Sequence, residues 1–235
     1  MTIVAYPARG CNRAGYAILR PLRSGDIPAR WPTACLSSFR HAQSDMRVIS
    51  SPESNVPFEL RAQVRNLQRQ AWPSDKPPED GTTHDTALHP VSMLLVDEGR
   101  VVAALDILSK DITHRGQVYA ASGLSTVVTD EDLRGRGHSR QLVEAAYTAI
   151  EQSGVDLGIF TCDAPLRRLY ERAGWRTLPG TVLVGGTPDA PFPSDQDDFD
   201  KITIACFFSD RAQRERSTFV GSRIALYPGE IDKLW

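Results

Sequence analysis

"DEDLRGRGHSRQLV", residues 130–143, is the stretch on which the reading of this chain turns. The eight positions before His138 hold five charged side chains and two glycines, and an apolar pattern begins just after it. Upstream, "QVYAASGLSTVVT" reads as a strand ending near Thr129. Downstream, "HSRQLVEAAYTAIEQSG" sets Leu142, Ala146, Ala149 and Ile150 on one helical face, with Gly154 placed to end the helix. A strand, a short turn and a helix start aim several backbone N–H groups at one point, and the helix N-terminus adds partial positive charge. Such a junction binds phosphate. Gly135 and Gly137 let the backbone approach an anion closely, and Arg134 and Arg136 add charge. The stretch is neither a Walker A loop nor a GxGxxG dinucleotide fingerprint.

Elements alternate around this junction. "MRVIS" from Met46 predicts a strand, and "FELRAQVRNLQRQAW" predicts a helix with Phe58, Leu60, Val64, Leu67, Ala71 and Trp72 on its stripe. Pro73 and a polar run follow. "VSMLLVDEGRVVAALDILSK" reads as a hairpin turning at Asp97, Glu98 and Gly99, which the strand before the junction extends into a meander. Beyond the junction helix come a buried strand, "LGIFTC", and a helix, "DAPLRRLYERAGW", with Asp163 as N-cap, Pro165 in the first turn and Gly174 as C-cap. "TVLVGG" and "KITIACFF" add two strands, and the remainder reads as a tail. This order predicts a mixed α/β fold with a mostly antiparallel sheet flanked by helices, not a regularly alternating Rossmann sheet.

Residues 1–45 differ from the rest. They carry six arginines, no lysine, and Pro or Gly every few residues without a sustained period, so an irregular extension is expected there and the working domain over 46–235. The 27 basic and 29 acidic residues give a net charge of -2, which leaves no global field for a nucleic acid or an anionic membrane. No apolar run approaches the length of a membrane span. Cys11, Cys35, Cys162 and Cys206 are widely spaced and have no metal-ligand pattern, so no metal site is expected. Cys162 and Cys206 read as small buried hydrophobes, and a reducing cytoplasm fits them.

The run "VVTDEDLRGRGHS" resembles motif A of the GCN5-related N-acetyltransferases (GNAT), whose loop reads R/Q-x-x-G-x-G/A. Here the loop is Arg134, Gly135, Arg136, Gly137, His138 and Ser139, with Ser in the last place. "LRRLYERAGW" resembles a second block of the family, with Leu169, Tyr170, Gly174 and Trp175 in matching places, and the resemblance covers Met46 to about Phe208. It implies a GNAT-like sheet splayed around a cofactor cleft, and acetyl-CoA as cofactor. The pyrophosphate would rest on the amides of Arg134, Gly135, Arg136, Gly137, His138 and Ser139, and the pantetheine would pair with the backbone of Val127, Val128 and Thr129. Tyr170 would be the acid that protonates the departing thiolate.

Asp106, Asp111, His114, Glu98 and Asp163 are the candidate general bases, and the sequence selects none of them. The "RRLYERAGW" block and the terminal Trp resemble the aminoglycoside 2'-N-acetyltransferases, which carry an acidic residue nine positions before the motif Arg; that position is Ser125 here. Glu230, Asp232 and Trp235 offer the tail a means to attract a polyamine-like acceptor. The expectation is acetyl transfer to a primary amine of a small molecule by a cytoplasmic protein, with no nucleic-acid or membrane partner and with a homodimer allowed. A non-catalytic acyl-CoA-binding sensor on the same fold is the alternative.

Overall fold

β-Strand pairing organises the chain, and the computed structural model describes it over residues 3–5, 46–73, 82–197 and 199–235. Residues 6–45, with Cys11 and Cys35, lie outside the described residues, as does most of the polar run after Pro73. The backbone of β1 (Ile3–Ala5) pairs antiparallel with β2 (Arg47–Pro52). Helix α1 (Phe58–Ala71) follows, and then the meander β3 (Val91–Asp97), β4 (Arg100–His114) and β5 (Gln117–Thr129). After the junction come α2 (His138–Gln152), β6 (Leu157–Asp163), α3 (Arg167–Arg172) and the short β7 (Arg176–Thr177). The C-terminal part comprises β8 (Val182–Gly186), β9 (Pro191–Pro193), β10 (Lys201–Phe207), α4 (Asp210–Phe219), β11 (Arg223–Ala225) and α5 (Ile231–Leu234).

Eight strands form one sheet in the order β1-β2-β3-β4-β5-β6-β10-β7, and β11-β8-β9 form a second. Within the large sheet only β5 and β6 run parallel. This is the mixed, mostly antiparallel architecture expected from the strand order. The α1 side chains Leu60, Val64, Leu67 and Ala71 cover Leu94, Val96, Val101, Ala104 and Val128. Phe58 and Trp72, expected on that stripe, instead point outward at 74% and 52% exposure, because α1 packs along a narrower line than the two end residues can reach. On α2, Leu142, Val143, Ala146 and Ile150 are buried and join the main core. Ala149 is only partly buried.

Two further expectations differ from the structure. Asp163 stands at the N-cap position but makes no side-chain cap bond, because its carboxylate pairs with Lys201 at 3.0 Å. The segment after β10 is not a tail: Ser209 Oγ caps α4 by accepting from Ala212 N, and β11 pairs parallel with β8.

The parallel β5–β6 contact is confined to Ala121 with Leu157 and Ser122 with Gly158. At the closed end, Asp156 holds three segments together. Its Oδ2 accepts from Ala120 N at 3.0 Å and from Arg211 at 2.7 Å, and its Oδ1 accepts from Ser209 Oγ at 2.6 Å. Burial opposes the Asp156 charge, but the bonds from Ser209, Ala120 and Arg211 outweigh it and hold the carboxyl below the usual aspartate value. A depressed folded-state value stabilises the fold above the unfolded aspartate value of about 3.9, and that contribution is lost as the pH falls through the folded value. Asp156→Ala strands the Ala120 amide and the Arg211 guanidinium, and is expected to cost at least about 2 kcal/mol in urea unfolding, with the wild-type advantage shrinking below about pH 4. Equal stability of the two proteins at neutral pH would refute this role for Asp156.

Candidate functional site

Beyond Ser122 and Gly158, β5 and β6 separate. Trp235 fills the base of the opening. Its ring lies against Gly123, where an added Cβ would stand 2.5 Å from the indole Cγ and 2.7 Å from the Ile159 carbonyl oxygen. Trp235 is 3% exposed, and its carbonyl oxygen accepts from Thr161 Oγ1 at 3.4 Å. The segment leading to it is tied to the sheet by Lys110, whose ammonium donates to the carbonyls of Leu226 and Tyr227, and by Lys201, which bridges Asp163 and Asp232. The Lys201 ammonium loses hydration on burial, yet these two carboxylates hold it above the usual lysine value.

The far end of β5 leads into the junction. Val127, Val128 and Thr129 lie past the last β5–β6 pair, while Val128 and Thr129 still pair with Ala104 and Ala103 of β4. Their opposite backbone edge meets no strand among the described residues. Asp130 then caps a short 3-10 turn over Glu131–Leu133 and binds Arg100 at 2.5 Å. Gly137, at φ 89, stands at the N-cap of α2 with no side-chain cap bond. The first amides of α2 therefore have neither an intrahelical nor a side-chain acceptor. Gly135 also has positive φ, 77, and a Cβ on either glycine would meet nothing within 4 Å. Glycine is required here by backbone conformation, and the space in front of the amides is open.

Arg134 and Arg136 are exposed at this opening, and His138 and Ser139 are half-buried in the first turn. The Ser139 hydroxyl shares a 2.5 Å hydrogen bond with Thr129 Oγ1, which staples the strand end to the helix. Uncapped amides, two glycines, two arginines and a strand edge without a partner strand among the described residues are features that suit an anion with an extended arm.

Tyr170 lies in α3 at 4% exposure, edge-on to Phe160 at 5.1 Å. Burial, reinforced by the nearby Cys162 and Asp163, pushes its phenol upward, so it stays protonated at neutral pH. Burial likewise pushes the Cys162 thiol up to about 12. The candidate bases are scattered. Asp111 and Glu98 are exposed, and Asp163 pairs with Lys201. His114 stacks on Phe219 at 4.1 Å and its Nε2 bonds Thr218; burial moves its pKa below the usual histidine value. Asp106 stands across the β4–β5 ladder from Ser125. Its neighbours His84, Ser92 and Thr126 leave no sequence signal, since the sheet alone brings them together. A cavity of about 510 Å³ lies elsewhere, beside β7 and β10 between Tyr147, Arg176, Cys206 and Arg216.

No group of three His, Cys, Asp or Glu side chains suited to a metal ion occurs among the described residues, and no described helix is long and apolar enough to cross a membrane. Gly123→Ala forces a methyl into the Trp235 ring and the Ile159 carbonyl, and is expected to cost about 1–3 kcal/mol, read as a lower Tm; an unchanged Tm would show that the wedge yields freely.

Comparison with known proteins follows this geometry. Residues 59–178, about half the chain, match the family described as acetyltransferase (GNAT) domain. The solved structure of the Escherichia coli GNAT family N-acetyltransferase YhbS in complex with CoA superposes with a TM-score of 0.53 at 18% identity, covering 80% of this chain and 93% of that one. Escherichia coli ElaA gives a TM-score of 0.50 at 16% identity, covering 68% and 98%. These similarities are of fold. No curated protein matches.

Proposed function

The chain belongs to the GNAT acetyltransferase family, and from that premise we propose that residues 46–235 transfer acetyl from acetyl-CoA directly to a primary amine of a small acceptor of the polyamine or aminoglycoside kind. The observation that carries this reading is the uncapped, glycine-led start of α2 beside the unpaired end of β5. Acetyl-CoA, when bound, supplies an activated acyl thioester. Its diphosphate suits the amides from Arg134 to Ser139 and the charges of Arg134 and Arg136. Its extended arm suits the free backbone edge of Val127, Val128 and Thr129.

Tyr170 holds its proton through the neutral range and is the donor for a departing thiolate. Cys162, beside it, stays a thiol at neutral pH and is a poor nucleophile, which favours direct transfer over an acyl-enzyme. Binding and chemistry thus fall to different residues. Gly137→Glu is expected to abolish CoA binding in calorimetric titration, where the wild type binds at about -7 to -9 kcal/mol, because it puts a carboxylate in front of the amides and a side chain at positive φ. Tyr170→Phe is expected to lower kcat by about 100-fold with CoA affinity unchanged. Retained binding in the first variant would remove the cradle, and an unchanged rate in the second would remove Tyr170 from the reaction.

A further inference from the structure

Buried side-chain polar atoms without a partner number five among the described residues, and two of them, Ser125 Oγ and Trp235 Nε1, belong to the β5–β6 opening. Ser125 is 3% exposed. It lies two residues beyond Gly123 on β5, so its side chain leaves the sheet on the face against which Trp235 is packed. Directly across the ladder is Asp106 of β4. Opposed residues of an antiparallel pair bring their Cβ atoms to about 5 Å, so a χ1 rotation carries the serine oxygen to the carboxylate.

Asp106 is itself held in place. Its Oδ1 accepts from Ser92 Oγ at 2.5 Å, and its Oδ2 meets Thr126 Oγ1 at 2.6 Å and His84 Nε2 at 3.2 Å. A carboxylate has about four lone-pair sites, so Oδ1 can accept from Ser125 as well. Thr126 is the first residue of a bulge in which it and Val127 oppose Leu105 alone, and its φ of 50 is strained for a β-branched side chain. The bond to Asp106 secures that conformation. His84 is fastened in turn, since the amides of Thr83 and His84 donate to the buried Glu53. The charged groups facing Asp106 are His84, before β3, at 3.2 Å, and Glu53 ahead of α1 with Arg61 and Arg65 on α1, which line the same small cavity as Asp106.

We propose that Ser125 is a catalytic proton relay and Asp106 its positioning partner and proton sink, an inference that rests on the acetyl-transfer reading. As the acceptor nitrogen forms its bond to the acyl carbon, its N–H bond breaks and Ser125 Oγ takes that proton. The serine's own proton passes to Asp106 Oδ1, the carbon–sulfur bond breaks, and Tyr170 protonates the sulfur. Solvent then removes the proton from Asp106 and restores that of Tyr170, so atoms and charge balance.

An unmet buried hydroxyl costs stability in the free protein, and this gives the test a readout apart from activity. Ser125→Ala is expected to keep or raise Tm, leave the KM for acetyl-CoA unchanged, and lower kcat by about 100-fold. Asp106→Asn is expected to lower kcat by at least about 10-fold with the KM for acetyl-CoA unchanged. Equal turnover of Ser125→Ala and wild type, a loss of rate matched by a lower Tm, or a raised KM for acetyl-CoA with kcat unchanged in Asp106→Asn would overturn the relay. A wild-type chain that binds acetyl-CoA but acetylates no member of a panel of polyamines, aminoglycosides and amino acids would overturn the acetyl-transfer reading, and the relay with it.

Discussion

Two residue pairs, Ala121 with Leu157 and Ser122 with Gly158, are the whole parallel contact between β5 and β6, and the site depends on that brevity. A longer ladder would occupy the backbone edge of β5 and close the cleft. A missing one would split the sheet, because β6 carries β10 and β7 with it. The junction survives because it is held from both ends. Asp156 ties β5, β6 and the start of α4 at the closed end, and Trp235 fills the space at Gly123 where the strands part. An open sheet with unmet backbone groups is thereby made stable.

The same economy governs the proposed anion cradle. Its donors are main-chain amides, left without acceptors because α2 starts on a glycine with positive φ and no capping side chain. A Ser, Thr, Asp or Asn at a helix N-cap ordinarily stabilises the helix by taking those donors itself, but Gly137 stands at φ 89, where such a side chain is strained. The helix instead starts without that stabilisation, and the Thr129–Ser139 bond restrains its first turn from the side. The serine in the last loop position is thus part of the local architecture.

Much of this was legible in the residue pattern. The hairpin, the long β5, the α2 face and the buried β6 all follow from periods of two or 3.6 and from glycine and proline punctuation. What misled was local in a different way. Phe58 and Trp72 satisfy a helical stripe but lie at its ends, beyond the surface α1 covers. Asp163 has the identity of a cap, yet Lys201, 38 positions later in the chain, takes its carboxylate. The segment after Phe208 is polar enough to read as a tail, and its helices exist because Phe219, Ile224, Leu226, Ile231 and Leu234 find a core supplied by other elements.

By itself the sequence determined the alternating elements, the mostly antiparallel sheet, and a strand–turn–helix junction rich in glycine and arginine, because all of these are written in neighbouring residues. Only the tertiary structure decided that β5 and β6 part after two pairs, that Trp235 fills the gap, and that Asp106 stands across from Ser125 with His84, Ser92 and Thr126 around it. The physical reason is range. Periodicity and turn chemistry act within a few residues, whereas a carboxylate selects its donors by distance in space, and those donors come from segments that meet only when the sheet has formed.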